Sequence, residues 1–364
     1  MKNLKDIIYL QMAYGLAEKA IGWASPNPYV GAVIVKKDII VGDGYHERPG
    51  KPHAEVIALQ KAGSLARNST TYINLEPCVH WGKTPPCTEA LLQARIRRAV
   101  ISDIDPNPLV SKKGIKKLKE AGIEVSLGLL QEKNRRLNET YIKYITNKIP
   151  FVAAKAAVSL DGKIATKKFS SQWISSPEAR KYFHLLRGEF DALMVGVNTL
   201  IKDDPLLTVR HSNWGKKRLT RIILDSHLRF PTQSRILSTL SRGKILVFCL
   251  KEASLKKADA LRKNGVEVIP ISSRRVEVKK VLSWLGQHEI SSVLVEGGSR
   301  LLTSIFEGRM VDKIFVTLSP KLIGGKTAPT FLQGSGADFI KDSFVLKSTH
   351  SFQMGEDIIV EGYL

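Results

Sequence analysis

The first 148 residues switch repeatedly between helical and strand-like hydrophobic periods. Ile7, Leu10, Tyr14 and Ala17 recur at helical spacing and predict an amphipathic helix ending near Gly22. Residues 30–35 and 39–41 are short apolar runs joined by a Lys-Lys-Asp turn, and read as two strands. Pro52 and His53 open a helical run that extends through Ala66. Residues 72–75 form a strand leading into Glu76-Pro77-Cys78, and a helix follows Cys87. A strand at 99–102, a helix around 112–121, a strand at 123–126 and a last helix near 131–146 complete the pattern. Strands alternating with helices predict a layered α/β domain.

Pro150 marks the expected boundary, giving domains 1–148 and 149–364. Beyond it the pattern restarts. Residues 151–158, 192–197, 221–224, 244–250, 266–270, 293–295 and 313–318 read as buried strands. Helical stretches intervene, among them 177–187 and 299–307. A chain of 364 residues suits two domains, and 43% hydrophobic with 25% charged residues is ordinary for a globular protein. The chain shows no internal repeat, no low-complexity segment and no apolar run of the ~18 residues a membrane span needs.

The net charge of +22 is spread over both halves. Residues 1–148 carry 23 Lys and Arg against 14 Asp and Glu, or +9; the remainder carry 33 against 20, or +13. That excess would attract a phosphorylated substrate or a nucleic acid, or serve only as a basic surface. The three cysteines suggest no disulfide framework, so a reducing cytoplasm is expected. Cys249 sits in an apolar run and reads as a core residue.

Cys78 and Cys87 have a different use. With His53 they can supply three ligands to one tetrahedral zinc per chain, leaving a fourth position open for water. Glu55 lies two residues beyond His53, where a carboxylate can carry protons to and from that water. Placed at a helix start, this pair has the positive end of a helix dipole beside it. The pattern is that of zinc nucleobase deaminases, except that eight residues separate the cysteines where the short signature has two. In the second half no Gly-x-Gly-x-x-Gly follows a strand. There, 293–296 run into Gly297-Gly298 and a helical pattern; such a turn either approaches an anion such as pyrophosphate or only packs tightly.

Several motifs together carry a resemblance. Ser25-Pro26-Asn27-Pro28, His53-Ala54-Glu55, Leu75-Glu76-Pro77-Cys78, Gly82-Lys83-Thr84-Pro85-Pro86-Cys87 and Asp105-Pro106-Asn107-Pro108 are similar to the deaminase half of the bifunctional riboflavin-biosynthesis deaminase–reductase family. Lys155 through Ala165, Ser171 through Ser175, Val195 through Thr199, Asp203 through Arg210, Glu296-Gly297-Gly298 and Pro320 through Gly325 resemble its reductase half. The long cysteine spacing is typical of that family, whereas His80-Trp81 departs from its frequent His-His or His-Tyr and supplies no second imidazole there.

The resemblance implies a cytidine-deaminase-like αβα domain followed by a dihydrofolate-reductase-like α/β domain. It implies deamination of a diaminopyrimidinone carrying a phosphoribosylamino group, then NADPH-dependent reduction of the ribosyl group to ribityl. It places Asn27, His46, Lys83, Asp105 and Asn107 at the first substrate. Taken singly, each could equally be a turn residue next to proline. In the second half it places Ala157, Trp173, Thr199, Asp203, Ser226, Gly298, Ser299, Arg300, Leu301, Leu302, Thr303 and Ser304 at the cofactor. Ser171, Arg187, Leu207, Arg210 and Glu296 fall at the second substrate, with Lys155 and Asp203 as candidates for proton handling. Arg187 and Arg210 make chemical sense as phosphate clamps, or as ordinary surface ion-pair partners. The partners expected are small phosphorylated pyrimidines, with no nucleic acid and no membrane; a homo-oligomer stays open. Two other readings are a tRNA adenosine deaminase with an unrelated C-terminal domain, and a structural-zinc module that binds RNA.

Overall fold

The computed structural model describes residues 2–81, 85–215 and 217–364. The chain forms two compact units that meet between Lys148 and Ile149.

In the first unit, α1 (Lys2–Ala17) precedes the hairpin of β1 (Gly31–Lys36) and β2 (Ile39–Tyr45). Then come α2 (Ala54–Ala62), β3 (Thr70–Leu75), α3 (Cys87–Gln93), β4 (Arg98–Asp103), α4 (Lys113–Glu120), β5 (Glu124–Leu127), α5 (Gln131–Leu137) and α6 (Glu139–Asn147). Lys37 and Asp38 turn the hairpin with positive φ at both positions, as a primed two-residue turn requires. The strands make one sheet in the order β2-β1-β3-β4-β5, antiparallel around β1 and parallel from β3 to β5.

The two-residue period of each strand sorts the core. Ala32, Ile34, Ile73 and Ile101 face Ala54 and Ala58 of α2, Leu91 of α3 and Leu118 of α4. Val33, Val35, Tyr72 and Val100 face Leu10 and Ala13 of α1. The result is three layers, αβα. The single helix expected near 131–146 is divided at Asn138, whose φ of −102° and ψ of 19° leave the helical region. Its side chain instead accepts the Tyr29 amide at 2.7 Å and donates to the Tyr29 carbonyl at 3.1 Å. A long-range contact therefore overrides local helical periodicity.

The second unit contains β6 (Phe151–Ser159), α7 (Pro177–Leu186), β7 (Ala192–Gly196), α8 (Val197–Asp203), β8 (Thr220–Leu224), β9 (Ile245–Leu250) and α9 (Leu255–Lys263). It continues with β10 (Glu267–Ser272), α10 (Val278–Gln287), β11 (Ser292–Glu296), α11 (Ser299–Glu307), β12 (Lys313–Ser319), β13 (Lys347–Met354) and β14 (Asp357–Tyr363). The strands form one sheet in the order β10-β9-β8-β7-β11-β6-β12-β14-β13. It is parallel from β10 to β12 and antiparallel beyond. Both faces of its centre are buried: Ala153, Leu193 and Ile223 lie in one cluster, Val152, Met194 and Ile222 in the other. Near-continuous apolar runs in this half are the signature of such doubly covered parallel strands. Among the described residues, no helix is long and apolar enough to cross a membrane.

Candidate active sites in the two units

His53 is the N-cap of α2, with extended φ and ψ, and Glu55 lies in the first turn. Close packing of β2 under α2 fixes where that helix begins. A Cβ on Gly44 would meet the Ala54 carbonyl oxygen at 2.6 Å, and one on Gly42 the Ala58 oxygen at 2.2 Å. Cys78 follows β3, and Cys87 opens α3. Glu76, two residues before Cys78, ties the end of β3 to the segment that leads into α4. Its Oε2 accepts the Lys112 amide at 2.9 Å and the Asp105 amide at 3.3 Å, while Oε1 accepts the Ile115 amide at 3.1 Å.

The ligand atoms of His53, Cys78 and Cys87 all lie within 4.8 Å of one another. His53 Nδ1 is 3.0 Å from Cys87 Sγ and 3.6 Å from Cys78 Sγ. The second distance matches two vertices of a tetrahedron with metal–ligand bonds of about 2.0–2.3 Å. The protons tell the same story. Hydrogen bonding from Cys87 and His53 draws the Cys78 thiol down to about 4, while Cys78 and burial push the Cys87 thiol up. Two soft sulfurs, the second of which gives up its proton on binding metal, and an imidazole form a donor set suited to zinc. Glu55 is 3% exposed and hydrogen-bonded to Cys87, so a carboxylate stands against the cluster.

The expected pyrimidine contacts gather around this cluster to different degrees. His46 donates from Nδ1 to the Pro52 carbonyl, 3.1 Å away, which makes Nε2 the acceptor of the Asn27 Nδ2 amide at 3.0 Å. The Asn27 oxygen keeps its acceptor capacity for a ring edge. Asp105 is buried, which pushes its carboxyl up to about 6, and it accepts the Tyr141 hydroxyl at 2.8 Å. Asn107 acts also as a turn residue, its side-chain oxygen accepting the Leu109 amide at 3.1 Å. Lys83 lies outside the described residues. Glu76 and Tyr141 were not singled out in the sequence for a role. Glu76 stands beside Pro77-Cys78, which is a signal of sorts; Tyr141 reaches Asp105 across 36 positions, and no local pattern announces that.

In the second unit a cavity of about 1140 Å3 opens along the carboxyl ends of the parallel strands, where such sheets bind ligands. Ala157, Thr199, Asp203, Ser226, Gly298, Ser299, Arg300, Leu301 and Ser304 line it, together with Ser171 and Glu296. The remaining expected cofactor residues do not reach its wall. Leu302 is packed in the core, and the Thr303 hydroxyl accepts the Gln333 amide. Trp173 is exposed, with the Arg180 guanidinium 4.4 Å from its ring centre. Leu207 is likewise a core residue. The floor of the cavity at Gly297 and Gly298 passes into α11, so a helix N-terminus faces the space.

Lys155 and Glu296 are register partners on β6 and β11, side by side at the cavity. Arg187 holds Glu296 with two parallel hydrogen bonds, Nε to Oε1 at 2.7 Å and Nη2 to Oε2 at 2.6 Å. Burial alone would raise the Glu296 carboxyl, but Arg187 overrides it and takes it down to about 2. Burial lowers the Lys155 ammonium, with Glu296 opposing. Arg210 is exposed and hydrogen-bonds His184.

Both units have counterparts of known kind. Residues 4–103 match the cytidine and deoxycytidylate deaminase zinc-binding region, and residues 150–360 match the RibD C-terminal domain. Riboflavin biosynthesis protein RibD of Aquifex aeolicus is 44% identical over 355 residues, covering 98% of this chain and 97% of that protein. Its namesake in Escherichia coli is 37% identical over 332 residues, covering 88% and 89%. The solved structure of Acinetobacter baumannii RibD is similar at a TM-score of 0.87 and 32% identity, covering 100% of this chain and 99% of that one. A Thermotoga maritima structure, titled diaminohydroxyphosphoribosylaminopyrimidine deaminase/5-amino-6-(5-phosphoribosylamino)uracil reductase, is similar at 0.87 and 33%, covering 100% and 99%.

Fold and sites thus define a two-part enzyme, a deaminase of the cytidine-deaminase fold followed by a dihydrofolate-reductase-like reductase. The chain belongs to the RibD family of riboflavin biosynthesis. Because the match continues from 150 to 360, the second half is no unrelated appendage, and the tRNA deaminase reading is set aside.

Proposed function

We propose that the first unit hydrolytically deaminates 2,5-diamino-6-(5-phosphoribosylamino)pyrimidin-4(3H)-one. The second unit then reduces the ribosyl side chain of 5-amino-6-(5-phosphoribosylamino)uracil to ribityl. His53, Cys78 and Cys87 hold one zinc per chain, which when bound supplies the acidity that makes water nucleophilic near neutral pH. Glu55 takes the proton of the attacking water on its carboxylate and returns it to the departing amine. Asn27, held by His46, reads the ring edge, and Asp105, held by Tyr141, and Asn107 contact the same substrate. Lys83 belongs to the same substrate set.

In the second unit the cavity takes NADPH, which supplies hydride when bound. The Gly297-Gly298 turn and the start of α11 would hold its diphosphate, and Thr199, Asp203 and Ser226 line the same cavity. Glu296, fixed by Arg187, and the desolvated Lys155 face the sugar being reduced; Lys155 and Asp203 handle the protons of ring opening. Arg210 grips the substrate phosphate.

The observation that carries this reading is the convergence of Glu55 on the His53, Cys78 and Cys87 cluster. Glu55→Gln preserves shape and removes the proton carrier. Zinc content near wild type is expected, with ammonia release slowed by about 10²-fold or more. Ammonia release within a few-fold of wild type would remove Glu55 from the chemistry.

A further inference from the structure

Arg210 owes its orientation to a neighbour outside the residue set already assigned. His184 lies in the last turn of α7, one helical turn before Arg187, and its ring is half-buried. Its Nε2 is 2.9 Å from Arg210 Nη2 and 3.3 Å from Arg210 Nε. A guanidinium has no lone pair, so Nε2 is the acceptor and the ring carries its proton on Nδ1. That proton has a destination. Nδ1 faces the Thr208 carbonyl, which also accepts from Arg187 Nη1 at 3.2 Å. This tautomer serves both Arg210 and Thr208; Arg187 Nη1, 3.3 Å from Nδ1, then meets a second donor there and gives its proton to the Thr208 carbonyl instead.

The charges around it agree. Arg187 and Glu296 lie on one side, Arg210 on the other, and Arg235 acts on Arg210 from beyond. Burial, then the two neighbouring guanidinium groups, hold the imidazole down to about 4, so it stays neutral at physiological pH. Arg187 has its donors committed: Nε and Nη2 to Glu296, Nη1 to Thr208. Arg210 presents only its Nε/Nη2 edge to protein. Among the described residues its Nη1 meets no protein acceptor, and Nη2 uses one of its two N–H bonds on His184, so the hydrogens that point outward between Nη1 and Nη2 are left over. The Nη1/Nη2 end is the fork a phosphate accepts in pairs.

We propose that His184 is a positioning and specificity-determining residue for the phosphate of the reductase substrate. Its neutral imidazole holds one edge of Arg210 and turns the opposite fork toward the anion. The proposal rests on the reading of Arg210 as the phosphate grip, and the experiment separates the two.

Reduction by the full zinc-loaded chain at saturating NADPH is measured on 5-amino-6-(5-phosphoribosylamino)uracil and on its unphosphorylated riboside. His184→Phe keeps the ring and loses the acceptor. It is expected to raise KM for the phosphorylated substrate about tenfold, with kcat changed less than about threefold and the riboside unaffected. His184→Gln supplies an oxygen for Arg210 and an amide for Thr208, and should bring KM back to within about threefold of wild type. Equal changes for both substrates, a fall in kcat alone, or a Gln variant as weak as Phe would overturn the role of His184. If Arg210→Ala fails to distinguish the two substrates, the phosphate reading itself falls. If Arg210→Ala distinguishes them and His184→Phe does not, only the present inference falls. The 15N resonances of His184 in the unmodified protein give a check that needs no variant: a neutral ring protonated at Nδ1 is expected, and protonation at Nε2 would overturn the proposal.

Discussion

Single side chains in this protein are placed by what burial makes them do. Glu296 and Arg187 are about 15% exposed, and their two parallel hydrogen bonds compensate for the loss of water around both charges. Glu296→Gln strands the guanidinium, and is expected to destabilise the second unit by about 3 kcal/mol at pH 7, read by urea denaturation. The Glu296 carboxyl sits at about 2 in the folded protein, below its ordinary 4.5. Its contribution is therefore complete above 4.5 and is lost as pH falls toward 2. The gap between wild type and variant should narrow below pH 4.5; a gap independent of pH would contradict the pairing. The zinc ligands make a second test at this scale. Cys78→Ser and Cys87→Ser should each lose metal and ammonia release together. Stoichiometric zinc in a folded double variant would refute the assignment. The clustering of these three side chains could be anticipated because His-x-Glu, Pro-Cys and Cys occur in a chemically meaningful order. His184 was not legible: what defines it is an arginine 26 positions away.

At the scale of elements, the site depends on how closely loops and helices approach. Gly114 sits against the Pro77 carbonyl, where a Cβ would come within 2.2 Å of the oxygen. Glu76, one residue earlier in the chain, ties the same loop to the start of α4. Gly114→Ala should push the Pro77-Cys78 turn away from His53, costing about 1–3 kcal/mol in the first unit and weakening zinc retention. Thermal melting and zinc competition by a chelator would read this; unchanged zinc retention would mean the loop is more compliant than the packing implies. The strong apolar runs that became β6, β7, β8, β9 and β11 could be read directly, since doubly buried parallel strands are nearly continuous in hydrophobic residues. The hairpin of β13 and β14 could not. All but two of the residues of β13 are exposed, so the strand lacks the apolar period that would mark it, and only pairing with β14 defines it. The helices α8 and α9 were not named, α8 being only seven residues long and α9 carrying charge along much of its length; α10 was missed although Val278, Val281, Leu282 and Leu285 recur at helical spacing.

For the whole molecule, two separate cores mean two separable chemistries. The first unit buries its own clusters against one sheet, and the second buries two more against another. Glu55→Gln in the full chain should therefore spare NADPH-dependent reduction when the deaminated uracil is supplied. Arg210→Ala should conversely spare ammonia release. Loss of reduction in a folded, zinc-loaded Glu55→Gln protein would show that the two sites are coupled. The division near Pro150 was legible as a restart of the strand pattern, and the long cysteine spacing pointed to the family before any geometry did.

The most direct test follows both products from one substrate. Zinc-loaded protein is given 2,5-diamino-6-(5-phosphoribosylamino)pyrimidin-4(3H)-one, first without and then with NADPH. The account predicts one equivalent of ammonia released in the absence of NADPH, followed by oxidation of one equivalent of NADPH on its addition. Oxidation of NADPH with no prior release of ammonia, or no ammonia at all from zinc-loaded protein, would contradict it.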